Sequence, residues 1–413
     1  MPHASRLLIE HQCPQCGAPA TLEETDHLFT CTFCRVKSFL SSRDFFRYML
    51  PHPSRDNQEI IYVPYWRIKG IMFSSVGGGV KHKIVDVSCQ AVTSPSFPVS
   101  LGLRSQVLKL RFVSPETEGR FLKSGVPISQ MKNTVEQWSS SHLPKPVFEQ
   151  ALIGESLSQI YSPFYVKARK VYDALLDRPV SLELPEDSDP AGLPGGHPDW
   201  RIQFIPALCP KCGWDLEGER DSLVLHCRNC RTLWQEAKNR FTPIRVSHLP
   251  GGTEGVLYLP FYQIRAEISG ITLESYADLI RVANLPKVVR EGWEELPFRF
   301  WSPAFKVRPE DFLRFSRNLT LSQPQKELAP EMPPGALYPV TLSVGQASES
   351  LKIILASFIK PADTMLPRLQ EINLKPKGAL LVYIPFQEER TDLANPDFRL
   401  RVNKLLLGYA KNL

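Results

Sequence analysis

Five short stretches of the chain share one pattern of apolar and polar positions. They are IIYVPYWRIKG (60–70), QIYSPFY around Pro163, VLYLPFYQIRA (256–266), RFWSPAF around Pro303 and LVYIPFQ around Pro385. Each reads apolar, then Tyr or Trp, any residue, Pro, and usually another aromatic; Tyr62, Tyr161, Tyr258, Trp301 and Tyr383 fill the aromatic slot. The flanks are β-branched and aromatic, as strands require. Proline inside such a run belongs at a strand end, an edge or a bulge. The pattern therefore predicts a set of related strands, each started or interrupted by its proline. The aromatics are expected to be core and cross-strand packing; the alternative is an aromatic-lined groove for a peptide or single-stranded nucleic acid.

Helical spacing is confined to short segments. Ile128, Met131, Val135 and Trp138 recur at helical intervals in PISQMKNTVEQWSSSHL. PEDFLRFSRNLT opens with Pro309, Glu310 and Asp311, a helix N-terminal signature. ARKVYDALLDRPV follows YSPFYV as PEDFLRF follows WSPAFKV, and predicts a matching helix over 168–180. RVNKLLLGYAKNL predicts a terminal helix. SSVGGGVKH (74–82) reads as a loop tip, LPEDSDPAGLPGGHPDW (184–200) as a linker and SQPQKELAPEMPPG (322–335) as a second break.

Composition narrows the class. The 413 residues are 43% hydrophobic and 22% charged, which is ordinary for a globular chain. Thirty-seven prolines argue against long uninterrupted helices, so the expected fold class is α+β, β-rich. The longest apolar runs, such as GALLVYIPF, are strand-sized and too short to cross a bilayer. The opening MPHASRLLIEHQCPQC has only LLI as an apolar core and does not read as a signal peptide. The expectation is a cytoplasmic protein with no membrane insertion.

Eight of the nine cysteines fall in four C-x-x-C pairs: Cys13/Cys16, Cys31/Cys34, Cys209/Cys212 and Cys227/Cys230. In a cytosolic chain such spacing points to metal rather than disulfides. Two pairs can present four thiolates tetrahedrally to one ion. In CPQCG and CPKCG the proline sets a tight turn, and Gly17 and Gly213 can adopt the positive φ that turns backbone N–H groups toward sulfur. A hairpin is expected between the pairs, with ATL and LFTC flanking EETDH, and WDL and LVLHC flanking EGERDS. These features resemble the zinc-ribbon (four-cysteine, rubredoxin-like) superfamily in two copies, over Cys13–Cys34 and Cys209–Cys230. The resemblance implies two structural Zn2+ ions. The second knuckles, CTFCR and CRNCR, lack the following glycine, which favours zinc over a rubredoxin-like iron. Four thiolates leave no open position for catalysis, and His27 and His226, close by, are not needed as ligands. Cys89, in the alternating VDVSCQAV, reads as a small buried hydrophobe on a strand.

The cysteines of the two copies are 196 residues apart, and so are Pro64 and Pro260. A register kept from knuckle to proline predicts an internal duplication. The expected organisation is a zinc ribbon with a helical tail at 1–50, a β-rich antiparallel module with short helices at 51–183, the linker at 184–200, a second ribbon with a basic tail at 201–247, and a related module with a C-terminal helix at 248–413.

Catalytic motifs are absent from the sequence. GGGVKHK lacks phosphate-loop spacing and reads as a hairpin tip, and Glu186/Asp187 and Glu294/Glu295 sit in polar, loop-like stretches. The formal charge of +6 falls to about +2 once eight thiolates and two dications are counted, too little to mark a nucleic-acid binder by itself. Each ribbon is followed by a basic, aromatic tail carrying Arg43 and Arg47, or Arg240 and Arg245. Those arginines either offset the anionic metal centres or contact a partner. The leading expectation is a non-enzymatic scaffold or adaptor with protein partners. The alternatives are a nucleic-acid-binding protein using the ribbons and tails, and an accessory subunit of an enzyme complex.

Overall fold

The computed structural model describes residues 7–53, 58–102, 108–180 and 192–410. The molecule is β-rich, 41% strand and 16% helix, in agreement with the expected α+β class. No helix among the described residues is long and apolar enough to cross a membrane.

The chain opens with two hairpins, each carrying a C-x-x-C knuckle at its turn: β1 (Leu8–Gln12) with β2 (Pro19–Glu23), and β3 (Leu28–Thr30) with β4 (Lys37–Ser41). The hairpin expected between the knuckles does not form here. Strand β2 stays with β1 in a large sheet, whereas β3 and β4 belong to a small separate one. The tail expected to be helical is β4 followed by β5 (Phe46–Met49). Its run KSFLS does not alternate because β4 is covered on both faces, from Ser38 to Ser41.

Then come β6 (Ile61–Val76), β7 (Gly79–Gln90), β8 (Leu110–Phe112), β9 (Arg120–Leu122), α1 (Ile128–Ser140), β10 (Val147–Lys167), β11 (Lys170–Asp173) and β12 (Arg178–Pro179). The loop tip predicted at 74–82 shrinks to the two-residue turn 77–78 between β6 and β7, and Cys89 lies on β7 as expected but is only half-buried. Helix α1 buries Met131 and Val135, while Trp138 lies outside under the Lys83 ammonium, 3.8 Å from its ring. The helix predicted at 168–180 is instead a hairpin. Ala168 and Arg169 both take positive φ and join β10 to β11 by a two-residue turn, a conformation normally signalled by Asn-Gly. Residues 184–191 of the expected linker, with Glu186/Asp187, lie outside the described residues.

The remainder includes β13 (Gly195–Gly196), β14 (Gln203–Pro206), β15 (Val224–Cys227), β16 (Thr232–Ala237), β17 (Arg240–Ile244), β18 (Val246–His248), β19 (Val256–Ser269), α2 (Tyr276–Val282), β20 (Phe300–Pro303), α3 (Pro309–Ser322), β21 (Ala336–Leu337), α4 (Val344–Glu349), α5 (Leu351–Ala356), two short helical turns at Ala362–Met365 and Pro367–Gln370, β22 (Asn373–Glu388), β23 (Asp392–Asn395), β24 (Leu400–Asn403) and α6 (Lys404–Tyr409). The helices predicted after Pro309 and at the C-terminus are α3 and α6.

The proline stretches form the centres of both main sheets and pair with one another. In the first, β6 runs antiparallel to β10, with Tyr62 opposite Pro163 and Pro64 opposite Tyr161. In the second, β19 runs antiparallel to β22, with Tyr258 opposite Pro385 and Pro260 opposite Tyr383. These four prolines are therefore inside long, two-sided strands, not at the edges or ends expected; only Pro303 ends its strand. The physical reason lies in their other neighbour. Strand β6 pairs with β9 up to Tyr62 and with β7 from Tyr65, so Pro64 falls in the gap between two successive partners. Its missing N–H has no ladder acceptor to meet there, and its carbonyl accepts from Ala91 N–H. Pro260 falls likewise between β21 and β20, Pro163 between β5 and β11, and Pro385 between β18 and β23. Their carbonyls accept from Ala304 N–H, Ala174 N–H and the Asn395 Nδ2 amide. The motif marks the point where a central strand exchanges one neighbour for the next. The aromatic slot is buried throughout, so these rings are core.

The far half of the β6–β10 pair, still flanked by β7 in the same sheet, is an arm that reaches the second module. Ile71, Phe73, Ala151 and Ile153 share a core with the second module, where the Phe73 ring lies 5.5 Å from that of Phe312. At the positions 196 residues on, β19 has Glu267 and Ser269 in place of Ile71 and Phe73. Both are exposed, and Glu267 pairs with Lys377 at 2.5 Å. One arm is thus apolar and docked and the other polar and exposed.

Candidate metal centres

The four knuckles share one backbone form. In the first pair Gly17 N–H donates to Cys13 O at 2.9 Å and Cys13 N–H to Ala18 O at 2.8 Å. Cys209, Gly213 and Trp214 repeat that turn in the second unit. Gly17 and Gly213 take positive φ, as expected, with values of 72° and 74°. The second knuckles adopt the same turn without glycine: Arg35 and Arg231 occupy the left-handed position at φ 62° and 51°. For a non-glycine residue that conformation costs about 1–2 kcal/mol, a strain that metal ligation can offset.

In each unit the four sulfurs lie within 4.8 Å of one another, and Cys89 stands apart. Cys13 and Cys34 are 3.7 Å apart, as are Cys16 and Cys31. The Cys209–Cys230 and Cys212–Cys227 pairs are 3.5 Å apart. A tetrahedral ion with metal–sulfur bonds near 2.3 Å requires edges of about 3.8 Å. The spacing fits four thiolates around one ion and is far longer than a disulfide, with S–S near 2.05 Å. Backbone N–H groups of Cys34 and Phe33 lower the Cys31 thiol to about 6, and the Trp214 N–H and Asn229 side chain lower that of Cys212 to about 6. These two are largely thiolate at neutral pH, the form that binds metal, whereas Cys34 and Cys227 in the same clusters are pushed up to about 12. His27 and His226 belong to neither cluster.

The two four-cysteine units are interlocked, which the sequence did not reveal. Strand β14, which precedes the second unit, adds to β4 of the first, with Phe204 opposite Leu40. The turn of the second unit reaches back: the Arg220 carbonyl accepts from His27 N–H at 2.7 Å and Leu28 N–H at 2.8 Å, and its guanidinium pairs with the buried Asp26. Phe39 meets Phe241 edge-on at 5.7 Å, and Ser41 Oγ donates to Asn239 Oδ1 at 2.9 Å. Leu28 and Phe39 share a small core with Cys209, Leu225 and Cys227. Arg220 is largely exposed, so replacing Arg220 with Ala is expected to cost about 1–2 kcal/mol, chiefly by stranding the Asp26 carboxylate. Urea denaturation of the variant beside the wild type measures it.

The four candidate arginines are not equivalent. Arg43, Arg240 and Arg245 are exposed. Arg47 is half-buried, bonds Asp44 at 2.7 Å and lies over the Phe45 ring at 4.7 Å. The Ser41–Asn239 bond brings the Arg240 turn to the end of β4, two residues before Arg43, while Arg47 turns into the protein.

A second feature lies where both four-cysteine units and both modules meet. A cleft of about 570 Å3 is lined by Glu24 and His27, Glu155, Asp221, and Lys306 from the second module. Burial lowers His27 to about 4, with a smaller push from Lys306, and its ring stacks on Phe39 at 5.8 Å. Behind the cleft Glu24 holds two buried cations, Arg67 and Lys69. Nothing in the sequence flags these residues as a group, because they come from segments up to 282 positions apart. No family model, no curated protein and no solved structure matches the chain, so its architecture and its paired cysteines carry the functional reading.

Proposed function

We propose that this chain is an internally duplicated, non-enzymatic scaffold, held by two structural zinc ions, that binds a protein partner in the cytoplasm. The observation that carries the reading is the surface around the cysteine clusters. Four thiolates close each cluster and leave no position for substrate, yet Phe33, Trp214 and Leu208, on or beside the knuckles, are 68%, 58% and 49% exposed. The Lys37–Asp215 ion pair, at 3.8 Å, sets Trp214 beside the strand leaving the Phe33 knuckle. Exposed aromatics on a rigid base are what a protein-binding surface requires. The shared 196-residue register and the matching neighbours of Pro64 and Pro260 support the duplication.

Elemental analysis of the purified protein is expected to give two zinc per chain and no iron. Native purification is expected to bring down a stoichiometric protein that the Phe33→Ala/Trp214→Ala variant loses while keeping its metal and thermal stability. A partner retained by that variant, a wild-type chain that emerges alone, or association that disappears with moderate salt and nuclease treatment would count against the reading.

A further inference from the structure

We propose that the cleft at the four-way junction binds a small organic ammonium ion with an apolar body, its charge held between Glu155 of the first module and Glu349 of the second. This goes beyond the scaffold reading and does not depend on it.

Two carboxylates meet across the seam between the modules. The Gln346 Nε2 amide donates to the Glu155 carbonyl at 2.7 Å. Glu349 stands one helical turn further along α4, on the same face. Both glutamates line the cleft. The Glu155 side chain is only 11% exposed, and its Oε1 takes the Lys132 ammonium at 2.7 Å. Its Oε2 is buried and has no hydrogen-bond partner among the described residues. A buried acceptor left in that state costs about 1–3 kcal/mol, which a donor on a ligand would recover. Ser158, 7% exposed, lines the same cleft, and among the described residues its hydroxyl is likewise without a partner.

The charge count points the same way. Glu155 and Glu349 have Lys132 between them, and Glu349 has no ion pair of its own among the described residues. Glu136 and Glu149 adjoin them, and Lys352 bonds Glu149 at 3.2 Å. The seam thus sets four carboxylates against two ammonium groups. Burial, and then Glu155 and Glu136, raise the Glu349 carboxyl above its usual range. The other charged groups at the cleft are held within the protein. Glu24 bonds Arg67 and Lys69, Asp44 bonds Arg47, Asp221 offsets Lys306, and Glu236 accepts from Asn239 N–H. A cation is therefore missing at Glu155 and Glu349 specifically.

The rest of the lining selects the kind of cation. Glu155 and Glu349 belong to no group of three metal-ligating side chains among the described residues, so a hard metal ion would lack ligands there. Phe39, Phe45 and Phe46 supply an apolar surface for the body of an amine. The cleft volume, about 570 Å3, is that of a small-molecule site.

The test uses the full-length metal-loaded protein, with phenethylamine as probe and phenethyl alcohol, its neutral counterpart of the same shape, as control. Calorimetric titration at pH 7 is expected to show the amine bound about tenfold or more tightly than the alcohol. Hydrogen exchange across α4 should slow as the amine binds. Glu349→Gln removes a like charge and is expected to fold as well as the wild type; in it the preference for the amine should fall to about threefold or less. Ser158→Ala should weaken amine binding about fivefold. The Phe33→Ala/Trp214→Ala variant, whose changes lie on the knuckles, should bind the amine as the wild type does. Equal affinity for amine and alcohol, a preference unchanged in Glu349→Gln, or displacement of the amine by millimolar Ca2+ overturns the proposal.

Discussion

Removing metal from the second four-cysteine unit is expected to unfold the first as well. In small zinc domains the bound ion contributes on the order of 10 kcal/mol of apparent folding free energy, and a lone short hairpin is not stable without support. What the interlock adds is transmission. Strand β4 has β14 as its outer neighbour, and β14 leads within three residues into Cys209. The N–H groups of His27 and Leu28 have the Arg220 carbonyl as their acceptor, on the turn between the second unit's knuckles. If that turn is lost, two backbone donors at the seam lose their partner and the shared core of Leu28 and Phe39 opens. In Cys209→Ser/Cys212→Ser, hydrogen exchange should therefore accelerate across Leu28–Ser41 as well as Val224–Ala237, and metal content should fall below one ion per chain. A variant that keeps one full equivalent of metal and native protection across Leu28–Ser41 would show that the two centres are independent.

The second large effect is expected at Glu24. Its carboxylate bonds the Arg67 guanidinium and lies 3.3 Å from the Lys69 ammonium, and both cations are only 3% exposed. Arg67 has a further partner in Asp86 at 3.0 Å. Both basic residues are on β6, so Glu24 fastens the first four-cysteine unit to the centre of the large sheet. Replacing Glu24 with Gln leaves a buried cation uncompensated and is expected to cost about 3–5 kcal/mol. An exposed pair such as Arg201–Glu116, more than 60% exposed on both sides, should contribute about 1 kcal/mol or less. Equilibrium denaturation of both variants gives the comparison, and Glu24→Gln/Lys69→Met should recover part of the loss. Equal small costs at the two sites would mean that water reaches the Glu24 cluster.

Local chemistry made much of the molecule readable. The C-x-x-C spacing and the glycines after the first pairs give the knuckles, because the metal site is built from residues close in sequence. Alternation and β-branching give strands at all five proline stretches, and Pro309-Glu310-Asp311 gives the start of α3. The failures share a cause. The tail at 35–50 is strand because it is sandwiched, and 168–180 is a hairpin because Ala168 and Arg169 accept positive φ once β10 and β11 are held together. The four central prolines contradict their usual edge placement because each meets a break between two neighbouring strands, and no single stretch of sequence can show where its neighbours end.

The sequence by itself thus determined the two four-cysteine clusters, the β-rich class and the related strands at the heart of each module, since each depends on contacts a few residues long. Tertiary structure alone decided that β14 completes the first unit, that one arm docks while the other stays in water, and that Glu24, His27, Asp221 and Lys306 face one cleft. Those arrangements depend on which distant surfaces bury each other. The energy that selects them lies in shared cores and buried charges, which no local pattern carries.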